Sequence, residues 1–298
     1  MAITENKYFF NDLTQVTKPM KTHTMKTLPI SLLTLAMSST TFAQDIRPAD
    51  IISPIADGVA PLLIEADVAE EAGRFGYDKP TPQNSVMLFI DHQIGLMAGV
   101  RDFASLAEYK NNVVGLAKMA KAMNIPLLLT TSNAQWQNGE ILPELKEIFP
   151  DQPIIRRTGI INAYEDPTFR SELKTLMENN DRTHVIVSGV TLGTCVAFPV
   201  LSMLNDDIGT IIPVVDASGA WSRYEADAAM SRMTSAGAQL HSVFALGAEL
   251  QADWKNESGM AMLDPYTNNL PEYGFVLQNF WNNANQRLVE DPFGMISN

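Results

Sequence analysis

Val86-Met87-Leu88-Phe89-Ile90 is an unbroken apolar run that ends on an acid, Asp91. Five apolar residues without polar alternation predict a strand covered on both faces, as in a parallel sheet with helices above and below. The segments that follow extend the pattern. Leu106, Val113, Leu116 and Ala120 space a helix over about 104–123, which stops at Asn124 ahead of Pro126. Leu127 to Thr131 predicts the next strand, Pro143 to Ile148 a short helix, and Ile154-Ile155 a strand running into Arg156-Arg157. A helix over Pro167 to Met177 precedes the strand Val185-Ile186-Val187, and Cys195 then opens a helix that reaches about Asn205. Ile211 to Val215 and Leu240 to Phe244 predict two further strands, separated by a helix from Glu225 to Ser235 and followed by a helix from Ala245 to Trp254. Such alternation predicts right-handed βαβ crossovers and an α/β fold: a three-layer α/β/α, doubly wound, mainly parallel six-stranded sheet.

The ends of the chain read differently. Met25-Lys26-Thr27 begins a short basic region, Leu28 to Met37 is apolar, and Thr41-Phe42-Ala43 precedes Gln44. This is the pattern of a secretory signal peptide over 1–43, cleaved after Ala43, and its apolar part is too short to span a bilayer. Residues 1–24 make an over-long polar leader, so a translation start at Met20 or Met25 is expected. Export to the periplasm or outside the cell follows, with no membrane attachment after cleavage. Residues 44–85, broken by Pro48, Pro54, Pro61, Pro80 and Pro82, predict an N-terminal arm ahead of a domain over 86–254. Residues 255–298, rich in Asn, aromatics and Pro, form a C-terminal extension suited to an oligomer contact or a cap.

Composition narrows the chemistry. The 298 residues are 46% hydrophobic and carry a formal net charge of -13 without any long run of Lys or Arg, which argues against nucleic acid as a partner. The single cysteine excludes an intrachain disulfide framework and any Cys-only metal cluster. The four histidines lack H-E-x-x-H spacing, so no metal and no cofactor are expected.

Ligands of open α/β sheets bind beyond the carboxyl ends of the strands, where the strand order reverses. The predicted ends there supply Asp91, Thr130-Thr131-Ser132, Arg157 and the loop from Gly189 to Cys195. A thiol opening a helix faces unpaired N–H groups and the positive end of the dipole, which lowers its pKa and offers donors to an oxyanion. Cys195 is therefore a candidate nucleophile, although a lone cysteine is equally often packed under a helix. Asp91 is either a proton acceptor or a cap of the next loop. Arg157 either fixes neighbouring charges, binds a substrate carboxylate, or is a surface residue.

Phe89 to Gln93, Leu128 to Ser132, Gly159 to Tyr164, Ser188 to Val196 and Val215 to Gly219 together resemble the isochorismatase-like cysteine hydrolases, most closely their YcaC-like subgroup. The resemblance spans about 86–254. It implies a catalytic triad of Asp91, Arg157 and Cys195, with arginine where the wider family has lysine. Because a guanidinium does not give up a proton readily, proton traffic would then fall on Asp91. It also implies a cis peptide before Thr191 and an oxyanion hole from the N–H groups of Thr191 and Cys195. Trp136-Gln137-Asn138-Gly139 stands where nicotinamidases of this superfamily carry metal ligands, so nicotinamidase activity is not expected. Thr131, Trp136, Asn162, Tyr164 and Trp221 are candidate contacts for a small-molecule substrate. The resemblance further implies a homo-oligomer, an octamer being the expected number. Hydrolysis of an amide, ester or related bond through a thioester is the expected activity. The rivals are an exported oligomeric binding protein without turnover and a redox-responsive thiol protein.

Overall fold

The computed structural model describes residues 77–287, with side chains to 283. The segment 1–43 expected to be a signal peptide, and residues 44–76 of the expected arm, lie outside the described residues. The sheet is built from β1 (Ser85–Ile90), β2 (Leu127–Ser132), β3 (Ile154–Arg157), β4 (His184–Gly189) and β5 (Thr210–Pro213). Their order is β3-β2-β1-β4-β5, and every pairing is parallel. The helices are α1 (Ile94–Met97), α2 (Leu106–Ala122), α3 (Pro143–Ile148), α4 (Pro167–Glu178), α5 (Ala197–Asn205), α6 (Arg223–Ser235), α7 (Val243–Gln251), α8 (Gly259–Asn268) and α9 (Pro271–Arg287).

The alternation of side chains along β1 divides the core in two. Met87 and Phe89 join a cluster with Leu116 and Met119 of α2, Leu246 of α7 and Met262 of α8. Val86, Leu88 and Ile90 face the other way, against Phe169 of α4, Val200 of α5 and Met233 of α6. Every residue of β1 is buried, as an apolar run without polar alternation requires. The chain runs outward from β1 to β3 and then returns to the far side of β1 with β4. The strand order therefore reverses between β1 and β4, and their carboxyl ends carry Asp91 and the loop to Cys195.

Several boundaries differ from those expected. Among the described residues the sheet has five strands rather than six. The segment read as a strand over Leu240–Phe244 makes one parallel bridge, His241 to Val214, before it turns helical. The cause is local: the Ser242 side chain accepts the N–H of Ala245, and Asp216 accepts that of Val243 at 2.8 Å, so Val243 and Phe244 become the first turn of α7. That helix ends at Gln251, and Trp254 instead stacks on Tyr273 at 5.6 Å between ring centroids. Cys195 does not open an α-helix. It lies in a π-helical turn, Leu192–Val196, whose Val196 N–H reaches back to Thr191 O at 3.2 Å, and α5 begins after it. The C-terminal extension forms α8 and α9. Pro265 and the Asn-rich text disguise them, yet Met262, Tyr266 and Leu270 pack into the same core as α2 and cap that face.

Gly189 ends β4 where a side chain has no room: an added Cβ would sit 2.4 Å from the Ile90 carbonyl oxygen. Gly189→Ala is expected to cost about 1–3 kcal/mol through forced separation of β1 and β4. Urea unfolding checks this, and unchanged stability would contradict the packing described.

Candidate active site

Asp91 leaves the end of β1 with φ of 56°, unusual for a residue other than glycine, and its side chain is fully buried. Its N–H donates to Thr130 O at 3.0 Å, continuing the sheet by one bond. Arg157 reaches it from the end of β3, two strands away. Each guanidinium nitrogen is engaged. Nε donates to Thr130 Oγ1 at 3.0 Å, Nη1 to the Ile160 and Ile161 carbonyls, and Nη2 to both Asp91 carboxylate oxygens. Thr130 Oγ1 in turn donates to Ile155 O at 2.8 Å. Burial pushes the Asp91 carboxyl above its usual range, and Arg157 opposes that shift.

Cys195 approaches from the β4 side with 8% exposure. Burial, and then the charge of Asp91, push its thiol up to about 12. The lowering expected from a helix N-terminus is outweighed here by desolvation beside a carboxylate, which favours the protonated thiol. Thr194 Oγ1 lies 3.7 Å from Sγ and 2.9 Å from Thr191 Oγ1. The Val190–Thr191 peptide is cis.

Asp91, Thr191, Thr194 and Cys195 line one cavity of ≈ 500 Å³, together with Leu96, Ile161, Trp221 and Glu225. Glu225 was not singled out as a site residue, although Ser222-x-x-Glu225 reads as a helix-capping box. Ser222 does cap the Glu225 N–H, at 3.1 Å. The Glu225 carboxylate, however, turns to the loop, accepting Trp221 N–H at 2.8 Å and Gly193 N–H at 3.2 Å. It thereby couples α6 to the turn that carries Cys195. Gly193 is required for this approach, since a Cβ there would stand 2.7 Å from Glu225 Cγ. Among the described residues no group of three or more His, Cys, Asp or Glu side chains is arranged to hold a metal.

The isochorismatase domain matches residues 85–243. The "probable hydrolase YcaC" of Escherichia coli K12 is 37% identical over 205 residues, covering 68% of this chain and 95% of that protein. The chain belongs to the isochorismatase family. Among solved structures, YcaC from Pseudomonas aeruginosa with hexane-2,5-diol and covalent acrylamide superposes with a TM-score of 0.62 at 42% identity, covering 69% of this chain and 98% of that one. Escherichia coli YcaC, described as an octameric hydrolase of unknown specificity, gives 0.64 at 35% identity over 70% and 98%. This member of the isochorismatase family is thus a hydrolase with YcaC-like relatives.

Of the five side chains proposed as substrate contacts, Trp221 alone lines the cavity, with its Nε1 donating to Leu96 O at 3.2 Å. Trp136 is 66% exposed on a turn whose next residues, Gln137 and Asn138, do line it. Asn162 caps the turn into Tyr164 and donates to Ser202 Oγ at 2.9 Å, while Tyr164 donates to Asp206 at 3.0 Å beneath Arg170. Both are committed to packing α4 and α5. Thr131 alternates with Thr130 and so points away from Arg157, buried and without a partner for its hydroxyl.

Beneath the site, His92 is fully buried between Tyr109 Oη at 3.1 Å and Ser188 Oγ at 3.0 Å. Burial lowers its pKa to about 3. The unfolded chain therefore binds this proton near pH ~6.5 while the folded chain resists it. The stability due to neutral His92 is present above pH ~6.5 and drains away as pH falls toward about 3. Imidazole NMR shifts should show His92 neutral at pH 5, and denaturation midpoints should fall between pH 6.5 and 4, less so in His92→Gln. A protonated His92 in the folded protein at pH 5 would refute this.

Proposed function

We propose that this hydrolase works through a triad of Cys195, Asp91 and Arg157, with a thioester on Cys195, and cleaves small amides or esters without a metal. The observation that carries the reading is the placement of a buried carboxylate, held by arginine, and a buried thiol in one cavity. A thiol with a pKa of about 12 is a poor nucleophile until a base removes its proton. Asp91 accepts that proton as Sγ attacks the carbonyl carbon. The carbonyl oxygen takes the electron pair and is held by the N–H groups of Thr191 and Cys195. Asp91 returns the proton to the leaving amine or alkoxide as the C–N or C–O bond breaks. Water then attacks the thioester while Asp91 takes its proton, and as the C–S bond breaks Asp91 passes that proton to Sγ, releasing the acid. Arg157 carries no proton in this scheme and keeps Asp91 oriented.

The covalent acrylamide named for the Pseudomonas aeruginosa relative is the kind of adduct a nucleophilic thiol forms, which supports the role given to Cys195. The high thiol pKa weighs against a redox-responsive thiol, since oxidation follows thiolate character. Assembly into a homo-oligomer is proposed by analogy with the octameric Escherichia coli relative, and the exposed Trp136, Ile161 and Tyr224 are available to such contacts. Export follows from the leader over 1–43 and remains part of this proposal.

The test is a panel of short amides and esters assayed with the parent protein and two variants. Cys195→Ala should abolish turnover and the mass shift of a trapped thioester. Asp91→Asn should lower kcat/KM by ~10²–10⁴. Alkylation of Cys195 in Asp91→Asn should also lose its dependence on an internal base. Full activity in Cys195→Ala would overturn the proposal.

A further inference from the structure

The charge environment of the cavity restricts what it admits. Its lining carries two carboxylates, Asp91 and Glu225, and among the described residues no Lys, Arg or His. Arg157 is near, but its side chain is wholly buried and each of its nitrogens is already engaged by Thr130, Ile160, Ile161 and Asp91. It has no donor left to clamp a substrate carboxylate, so that alternative for Arg157 is removed. Leu96, Ile161 and the Trp221 ring supply the apolar part of the wall, and the Gln137 and Asn138 amides supply neutral polar groups. An anion entering would lose water, meet like charge at Glu225 and find no cationic partner.

We propose that the site selects substrates without negative charge: small neutral amides or esters with an apolar end, to the exclusion of molecules bearing a carboxylate near the scissile bond. This rests on the hydrolase reading above and adds the substrate class.

Two nearly isosteric reagents test it on the full chain. Iodoacetamide is neutral and iodoacetate anionic. With either, Sγ displaces iodide, the S–C bond forms as the C–I electron pair leaves, and the thiol proton passes to solvent. The single cysteine makes intact mass an unambiguous readout. The ratio of alkylation rates, iodoacetamide over iodoacetate, should exceed that for N-acetylcysteine by about tenfold or more, as like-charge repulsion in a partly enclosed site supplies. The excess should shrink in 1 M salt and in Glu225→Gln, changes that a purely steric cause would not produce. Butyramide should protect Cys195 from iodoacetamide at concentrations where butyrate does not.

A ratio equal to the reference, protection by butyrate, or failure of both reagents to label the native protein would each overturn the proposal. The two readings fail separately. Neutral selectivity without amide turnover removes the hydrolytic mechanism and leaves the selectivity. Turnover of carboxylate-bearing substrates removes the selectivity and leaves the mechanism.

Discussion

The ion pair between Arg157 and Asp91 is the interaction on which the site depends. Both side chains are fully buried, and removing two charges from water costs several kcal/mol per ion unless hydrogen bonds replace the lost solvent. Here they do. The guanidinium ties together the ends of β1 and β3, the hydroxyl of Thr130 on β2, and the carbonyls of the 160–161 loop. One residue thus registers three strand ends against each other at the edge where the strand order reverses. Asp91 takes its place in this arrangement with a φ of 56°.

Burial, and after it the charge of Asp91, also act on the thiol, with Arg157 opposing them. Two effects compete at Cys195. The end of a helix is worth about 0.3–1 kcal/mol to a nearby anion. A thiol raised from 9.0 to about 12 reflects about 4 kcal/mol against the anion, from burial and from Asp91. The second wins by a wide margin, and the π-helical turn, in place of a regular helix start, does not reverse it. In the mechanism proposed above, this places the activation of Cys195 on proton transfer to Asp91 rather than on a preformed thiolate. Arginine at the middle position fits that demand, because it offers charge and geometry but no proton.

The parts of the fold that were legible in the sequence are those where burial is complete. Val86–Ile90, Leu127–Thr131 and Val185–Val187 announce themselves because a strand covered on both faces admits no polar alternation. The sixth strand expected over Leu240–Phe244 forms only in its first part: His241 pairs with the end of β5, and from Ser242 the same stretch caps and begins α7. The C-terminal helices were hidden by Pro265 and a run of Asn, and exist because Tyr266, Leu270 and Tyr273 find partners on α2 and α7. The aromatic residues proposed as pocket walls illustrate the same limit. Tyr164 and Trp221 look alike in the sequence, yet one is committed to Asp206 and the other faces the cavity.

The sequence by itself determined the α/β class and the family, and pointed to Asp91, Arg157 and Cys195 as candidates, because strand ends are marked by the change from apolar to polar text and the motifs sit on those ends. Tertiary structure alone decided what those residues are to one another. The pairing of Arg157 with Asp91 and Thr130, the burial of Cys195 beside Asp91 and the second carboxylate, Glu225, on the Cys195 loop arise from groups separated by tens of residues along the chain. Their pKa values and hydrogen bonds depend on burial and mutual distance, quantities that no local pattern encodes.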